Sequence, residues 1–480
     1  MIMDRTAFRR FFNSEPGLFL ILFFITAIVR SLLFTVLELD HDVSTYLVMA
    51  NEWLRGIVPF TFYIDVKPIG IYALFALAIK VFGTNVCGVR ILGIIFISLT
   101  AYFIHRILRH QGHDHKSSSF GAILFIVMIS LHKWSWASNT EIFFILFSTW
   151  GLYLLLKAGK TLKFIWFGLV MGVGFVIKYH VLFDFTAFGL FYIISHWKDR
   201  GWICVLRDLS VSFIALLVPF ALCHLYYFSI GSYDEFLFAS YVIPSSYSNP
   251  VGIMERASFF GEFLLSFAPF VLLILIAIFR KTLKRTEMLL HALWLAFAWI
   301  AIFMTGKRFF HYYIQAIPAL ALLAAAATSR LSGKWLFEHW TRMAGVTALL
   351  VLAAMWSQYS QLDRYRDPEF RKINQELQGE LGEKDKIYIQ QANVLYLLFD
   401  KEPMQRYVHN TLMFDSAHIK AFGIDNEAEY SRIMLQEPEH LIMPLRGNPG
   451  FDKEFMDQYE IEHYYSEDFV HWSRKSALLP

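Results

Sequence analysis

Residues 37–70 read LELDHDVSTYLVMANEWLRGIVPFTFYIDVKPIG. Asp40, Asp42, Asp65 and Lys67 crowd into this stretch, between two oily segments. Charges placed against apolar runs are costly unless they sit at a membrane boundary or belong to a site. Which of these applies depends on the chain around them.

That chain reads as a polytopic membrane protein. Of its 480 residues 56% are hydrophobic and only 17% charged, with a mean hydropathy of +0.45, whereas soluble domains average about 25% charged residues. The net charge of +3 hides an asymmetry: residues 1–357 hold 29 Lys and Arg against 18 Asp and Glu, and residues 358–480 hold 14 against 22. A basic membrane domain over 1–357 and an acidic domain over 358–480 are expected. Cys87, Cys204 and Cys223 are scattered, without metal-ligand spacing, and imply no disulfide framework.

Spans need about 17–25 apolar residues, and short loops rich in Lys and Arg mark the cytoplasmic side. Arg5, Arg9 and Arg10 place the N-terminus inside, and the run from about Pro16 to Leu37 reads as a retained signal anchor. The quoted loop is then extracytoplasmic. The next basic cluster, Arg106, Arg109 and Lys116, belongs inside, which leaves one crossing for residues 38–105. Residues 89–108 are long enough for it. The run 68–83, interrupted by Lys80, reads as a helix lying at the outer surface. The alternative, with both runs crossing, would put the 106–116 cluster outside.

Further spans are expected at about 118–133, 141–157, 163–178, 181–197, 209–228, 259–279, 287–304, 310–328 and 336–356. The total is about eleven, an odd number that puts the acidic tail outside. In that tail, 367–381 and 427–435 read as helices, and 386–390, 440–445, 459–465 and 469–475 as strands. Helices alternating with strands indicate a small α/β domain. It has no Gly-rich phosphate loop and no nucleophile elbow, so an accessory or docking role is the plainer reading.

On the outer face the acids gather in the first loop, and Lys67, Lys178, Arg256, Lys307, Arg308 and His311 supply positive or proton-bearing groups. This combination suits transfer from a lipid phosphate. Cations hold the phosphate oxygens as charge develops on them, and a carboxylate takes the proton of an attacking hydroxyl. A single displacement of this kind inverts the anomeric carbon.

The same residues carry a resemblance. Asp42 with Tyr46, Gly56 with Pro59 and Phe60, Lys67 with Pro68 and Tyr72, Phe82 with Gly83, and Arg90 stand in order within about 50 residues. This set resembles the first extracytoplasmic loop of the bacterial branch of the protein O-mannosyltransferases (glycosyltransferase family 39-like), which includes the lipid A aminoarabinose transferases. SNTEIFF (138–144), GLVMGVGFVIKYH (168–180) and RFFHYYIQAIPALALL (308–323) extend the similarity over roughly residues 10–330. The resemblance implies an all-α GT-C membrane domain with a small extracytoplasmic α/β domain, in a bacterial inner membrane. It implies a polyprenyl-phosphate sugar donor and a lipid, glycan or protein acceptor among membrane lipids, with no nucleic acid. Asp42 would be the general base, and Glu141 a second carboxylate. Lys67 would grip the donor phosphate; apart from the resemblance, Lys178, Arg308 and His311 are further candidates to bind that phosphate through their own charge or N–H groups. In the aminoarabinose transferase an acid precedes this Lys and helps bind a metal. Here that position is Val66, so no metal or other cofactor is carried over.

Each residue also has a plainer reading. Asp42 suits a helix N-cap, Asp40 is either a helix-start residue or another site carboxylate, and Glu141 could cap the following span. Lys67 could snorkel, and Lys307, Arg308 and His311 with their aromatic neighbours could be an interfacial anchor. The rival functions are a transporter or flippase, a glycan ligase or polymerase, and a non-catalytic assembly subunit. Transporters place charges at mid-bilayer in repeated halves; this chain has no internal repeat and gathers its acids at one face.

Overall fold

The computed structural model describes residues 14–246, 251–365, 368–409, 411–448 and 450–475. Arg5, Arg9 and Arg10, from which the orientation was read, lie outside the described residues. The chain forms two compact units, each assembled from separate stretches: residues 1–34, 90–226 and 248–361 make one, and residues 35–89, 227–247 and 362–480 the other. The boundary expected at 357/358 falls within a helix, and the tail is compact together with the first loop.

A helix forms at each stretch expected to span and at two further stretches of the first loop. In order these are α1 (Glu15–Arg30), α2 (His41–Leu54), α3 (Ile69–Phe82), α4 (Val86–His110), α5 (His115–Met128), α6 (Thr140–Leu156), α7 (Thr161–Ile177), α8 (Val181–Arg200), α9 (Trp202–Ser229), α10 (Ile253–Ser266), α11 (Ala268–Phe279), α12 (Arg285–Met304), α13 (Ile317–Leu331) and α14 (Trp340–Leu362). Among the described residues, six segments are long and apolar enough to cross a membrane: 15–35, 86–110, 202–229, 285–304, 310–331 and 340–365. The α10–α11 pair makes a seventh if it counts as one span. At 1.5 Å per residue, the 14 residues of α3 reach only about 21 Å, short of a bilayer core of about 30 Å.

Two spans differ from expectation. Residues 259–279 are not one helix, because α10 and α11 meet at a bend of 87°. Pro269 in the first turn of α11 lacks the N–H that a continuous helix would need. Residues 310–316 form a 3₁₀ segment before α13.

In the first unit, Ser14 caps α1 by accepting from the Gly17 N–H at 3.1 Å. At its other end the buried Arg30 donates to the Ser135 and Trp136 carbonyls at 3.0 and 2.6 Å, where the chain turns between α5 and α6. Gly168 and Gly172 let α7 lie directly against α9. A Cβ at either would stand 2.0 Å from the Ser212 carbonyl or 2.4 Å from that of Leu216. Small residues four apart are what close helix contact in a membrane requires.

In the second unit all four expected strands form: β1 (Ile387–Ile389), β2 (His440–Met443), β3 (Tyr459–Tyr464) and β4 (Val470–Arg474). Their order is β1-β2-β4-β3, with β1 parallel to β2 and the other pairs antiparallel. Helices α15 (Pro368–Leu377), α16 (Asn393–Phe399), α17 (Ser416–Phe422) and α18 (Asn426–Met434) complete the tail. Tyr388, Tyr430, Ile433, Leu441, Phe451 and Phe455 form its core. The first loop is stitched to this tail. The Ile64 N–H donates to the Arg406 carbonyl at 2.8 Å, Tyr63 to the Pro403 carbonyl at 3.0 Å, and Asn393 to Thr45 Oγ1 at 3.0 Å.

Candidate functional site

The candidate residues fall into two clusters, one in each unit. In the second unit α2 opens with Asp40 in extended conformation, its carboxylate accepting from the Asp42 N–H at 2.9 Å. Asp40 is therefore the cap, which frees the Asp42 side chain from that duty. Asp42 is buried, and its Oδ2 accepts from Tyr46 OH at 2.9 Å, one helical turn on, and from Lys67 Nζ at 3.0 Å. Its Oδ1 lies 2.8 Å from His409 Nε2. Lys67 also sits 5.8 Å above the Tyr46 ring.

The loop between the two short helices is held for this purpose. Gly56 has φ +105, a conformation open to glycine but not to a side chain. The Phe60 ring packs against Tyr72, Tyr227 and Phe236, while Tyr227 OH donates to the Pro59 carbonyl at 2.9 Å. Tyr72 OH donates to the fully buried Asp65 at 2.8 Å. The residues read as a family pattern are thus the ones that fix the backbone carrying Lys67.

His409 is the residue that the sequence did not reveal. It lies in the irregular stretch between α16 and α17, 367 positions from Asp42 in the chain, with no motif around it. Burial works against its protonation, yet the hydrogen bond to Asp42 and the Asp42 and Asp65 charges outweigh this and raise its pKa. Its Nδ1 faces the Thr411 N–H at 3.3 Å and Thr411 Oγ1 at 3.0 Å. Thr411 can therefore donate to the neutral ring or accept from the protonated one, so Nε2–H points at Asp42 in either state.

In the first unit Glu141 lies in the first turn of α6, fully buried, and Lys178 at the end of α7 donates to its Oε1. Thr140 Oγ1 donates to Oε2 at 3.0 Å. The Lys178 ammonium lies 4.2 Å over the Tyr312 ring, and His311, beside Tyr312, stacks on Phe309. Arg308 does not join this group; it pairs with Glu262 at 2.7 Å, both side chains well exposed.

The same unit holds an apolar cavity of about 680 Å³, walled by Phe260, Phe263, Val271, Leu275, Trp299 and Leu320. Arg256 also lines it, and its Nε is buried without a hydrogen-bond partner among the described residues. A guanidinium with an unused donor at an apolar cavity suits the anionic head of an otherwise apolar ligand.

Comparison with known proteins agrees with this architecture. Residues 66–227 match the family model described as dolichyl-phosphate-mannose-protein mannosyltransferase. No curated protein matches the sequence. The fold is similar to that of ArnT from Cupriavidus metallidurans bound to undecaprenyl phosphate, at TM-score 0.67 and 12% identity, over 97% of this chain and 98% of that one. It is also similar to the apo form of that protein, at TM-score 0.64 and 13% identity, over 97% and 100% of the two chains. The resemblance to the GT-C glycosyltransferases and the all-α membrane fold with a small C-terminal sheet are borne out.

Proposed function

We propose that this chain, an integral membrane protein of the GT-C fold, is an inverting glycosyltransferase. It moves one sugar from a polyprenyl-phosphate donor to a hydroxyl of an extracytoplasmic acceptor, in a bacterial inner membrane. The observation that carries the reading is the buried Asp42–Lys67 pair at 3.0 Å on a loop of fixed backbone. Asp42 takes the proton as the acceptor oxygen bonds to the anomeric carbon. The bond from that carbon to the phosphate oxygen breaks, and its electron pair leaves with the polyprenyl phosphate. Lys67 keeps Asp42 ionised before the reaction and offers its remaining N–H groups to the phosphate as charge develops there. His409 holds the second carboxylate oxygen and so fixes the orientation of the base.

The fold is shared with a protein whose structure holds undecaprenyl phosphate. Glu141 receives no chemical role. Its side chain is only 1% exposed, against 10% for Asp42, so it acts with Lys178 as a buried tie.

The test is a binding and turnover assay on the detergent-purified protein with a panel of polyprenyl-phosphate sugars. One donor should be consumed, and Lys67→Ala should weaken its binding. Transport of a lipid-linked sugar in vesicles with no bond cleavage would favour the flippase reading instead.

A further inference from the structure

The C-terminal sheet carries a second cluster of chemistry-bearing groups, on the three strands β2, β4 and β3. His463 pairs directly with His471, and His440 pairs with Ser473, two residues from His471. Side chains alternate along a strand, so the three imidazoles share one face. A bulge on β3 between Ile461 and His463 makes this possible. Without it Glu462 would stand opposite His471. With it Glu462 and His463 both oppose that residue, and bulges of this kind re-aim side chains near sites.

The imidazoles are linked in a definite order. His440 Nε2 lies 3.5 Å from Asp385 Oδ2, and His440 Nδ1 lies 3.0 Å from His471 Nε2. If the carboxylate fixes the proton on His440 Nε2, then His440 Nδ1 accepts from His471 Nε2–H. This leaves His471 Nδ1 with a bare lone pair. That atom is buried, in a residue with no exposed surface, and has no hydrogen-bond partner among the described residues. Facing it at 3.8 Å is the Glu462 carboxylate. His463 Nε2 is likewise buried without a hydrogen-bond partner among the described residues, 3.4 Å from Glu380 Oε2. The His471 lone pair and the carboxylate it faces repel unless a cation lies between them.

We propose that Glu380, His463 and His471 bind a divalent transition-metal cation of the zinc class. One ligand atom from each lies within 4.8 Å of the others, and the 3.4 Å between His463 Nε2 and Glu380 equals the separation of about 3.4 Å between ligands in a tetrahedron with bonds near 2.1 Å. His440 and Asp385 are the outer partners that set the His471 tautomer, the usual companion of a metal-bound histidine. The site ties the turn after α15 to strands β3 and β4, and its role is to hold the tail together.

The experiment titrates zinc alone into untagged full-length protein in detergent, measuring bound metal by equilibrium dialysis and the thermal transition in parallel. Wild type should hold about one zinc per chain and unfold at a higher temperature with zinc than after chelation. His463→Gln and Glu380→Gln change partly exposed side chains and should lose both effects while folding normally. His440→Gln should weaken zinc binding by about 10- to 100-fold. Cobalt in place of zinc should give the visible absorption of a tetrahedral site. The proposal is overturned if wild type holds no stoichiometric zinc, or if His463→Gln keeps both the metal and the thermal response.

Discussion

Asp42–Lys67 and Glu141–Lys178 are both carboxylate–ammonium pairs at the first turn of a helix, and they differ in what surrounds them. The Asp42 and Lys67 side chains keep 10% and 15% of their surface exposed, whereas Glu141 keeps 1%. Asp42 is surrounded by groups that donate or exchange protons: a phenol, an ammonium and an imidazole. Glu141 is closed by its lysine, a threonine hydroxyl and the Tyr312 ring above that lysine. A general base has to be reached by the hydroxyl it serves. Accessibility of the carboxylate separates the two pairs, although their charges alone do not.

The largest expected effect breaks the comparison if it fails. Asp42→Asn keeps the shape and removes the base, so turnover should fall by roughly 10²–10⁴-fold while the donor still binds. Turnover at the wild-type level would remove Asp42 from the chemistry and bring Glu141 back as the base. The next effect concerns stability. Glu141→Gln leaves the Lys178 charge buried without its partner, which costs about 3–5 kcal/mol. Pairing it with Lys178→Met should recover much of that loss in a thermal or denaturant unfolding series. A Glu141→Gln protein of normal stability but no turnover would show that the sealed pair opens and acts.

Legibility in the sequence follows the same division. Asp42, Tyr46, Lys67 and Tyr72 lie within 31 positions and could be read together through the family resemblance they carry. The four tail strands were legible because each is a short apolar or alternating run bounded by turns. The sharp bend at Phe267 was missed, because the apolar run continues through it and hydropathy does not register Pro269. His409 was out of reach, since its pairing with Asp42 depends on how the tail folds back onto the first loop. The histidines of the sheet were equally silent. A bulge sets their common face, and no spacing rule anticipates a bulge.

His409 offers a smaller, pH-dependent test. A hydrogen bond to a charged group contributes about 1.5–3 kcal/mol, so His409→Ala should lower turnover by about tenfold or more with donor affinity little changed. The raised pKa fixes the sign of its effect on stability. The imidazolium–Asp42 attraction is fully present below the unfolded histidine value of about 6.5 and is lost as pH rises through the higher folded value. Wild type should therefore lose stability over that alkaline window, and His409→Ala should not. An unchanged pH profile in the variant would show that His409 only fills space beside Asp42.

The smallest effect is expected at a third pair, Arg308–Glu262, whose side chains are 40% and 38% exposed. Exposed ion pairs contribute about 0–1 kcal/mol, so Arg308→Gln should leave the unfolding transition almost unmoved. The pair thus shows whether charge pairing by itself, or the surroundings of a pair, decides its weight. Donor affinity is the sharper readout. If Arg308→Gln leaves it unchanged, Arg308 is an interfacial anchor and takes no part in phosphate recognition. If affinity falls while stability holds, Arg308 exchanges Glu262 for the donor phosphate, and exposure then marks a pair waiting for its ligand.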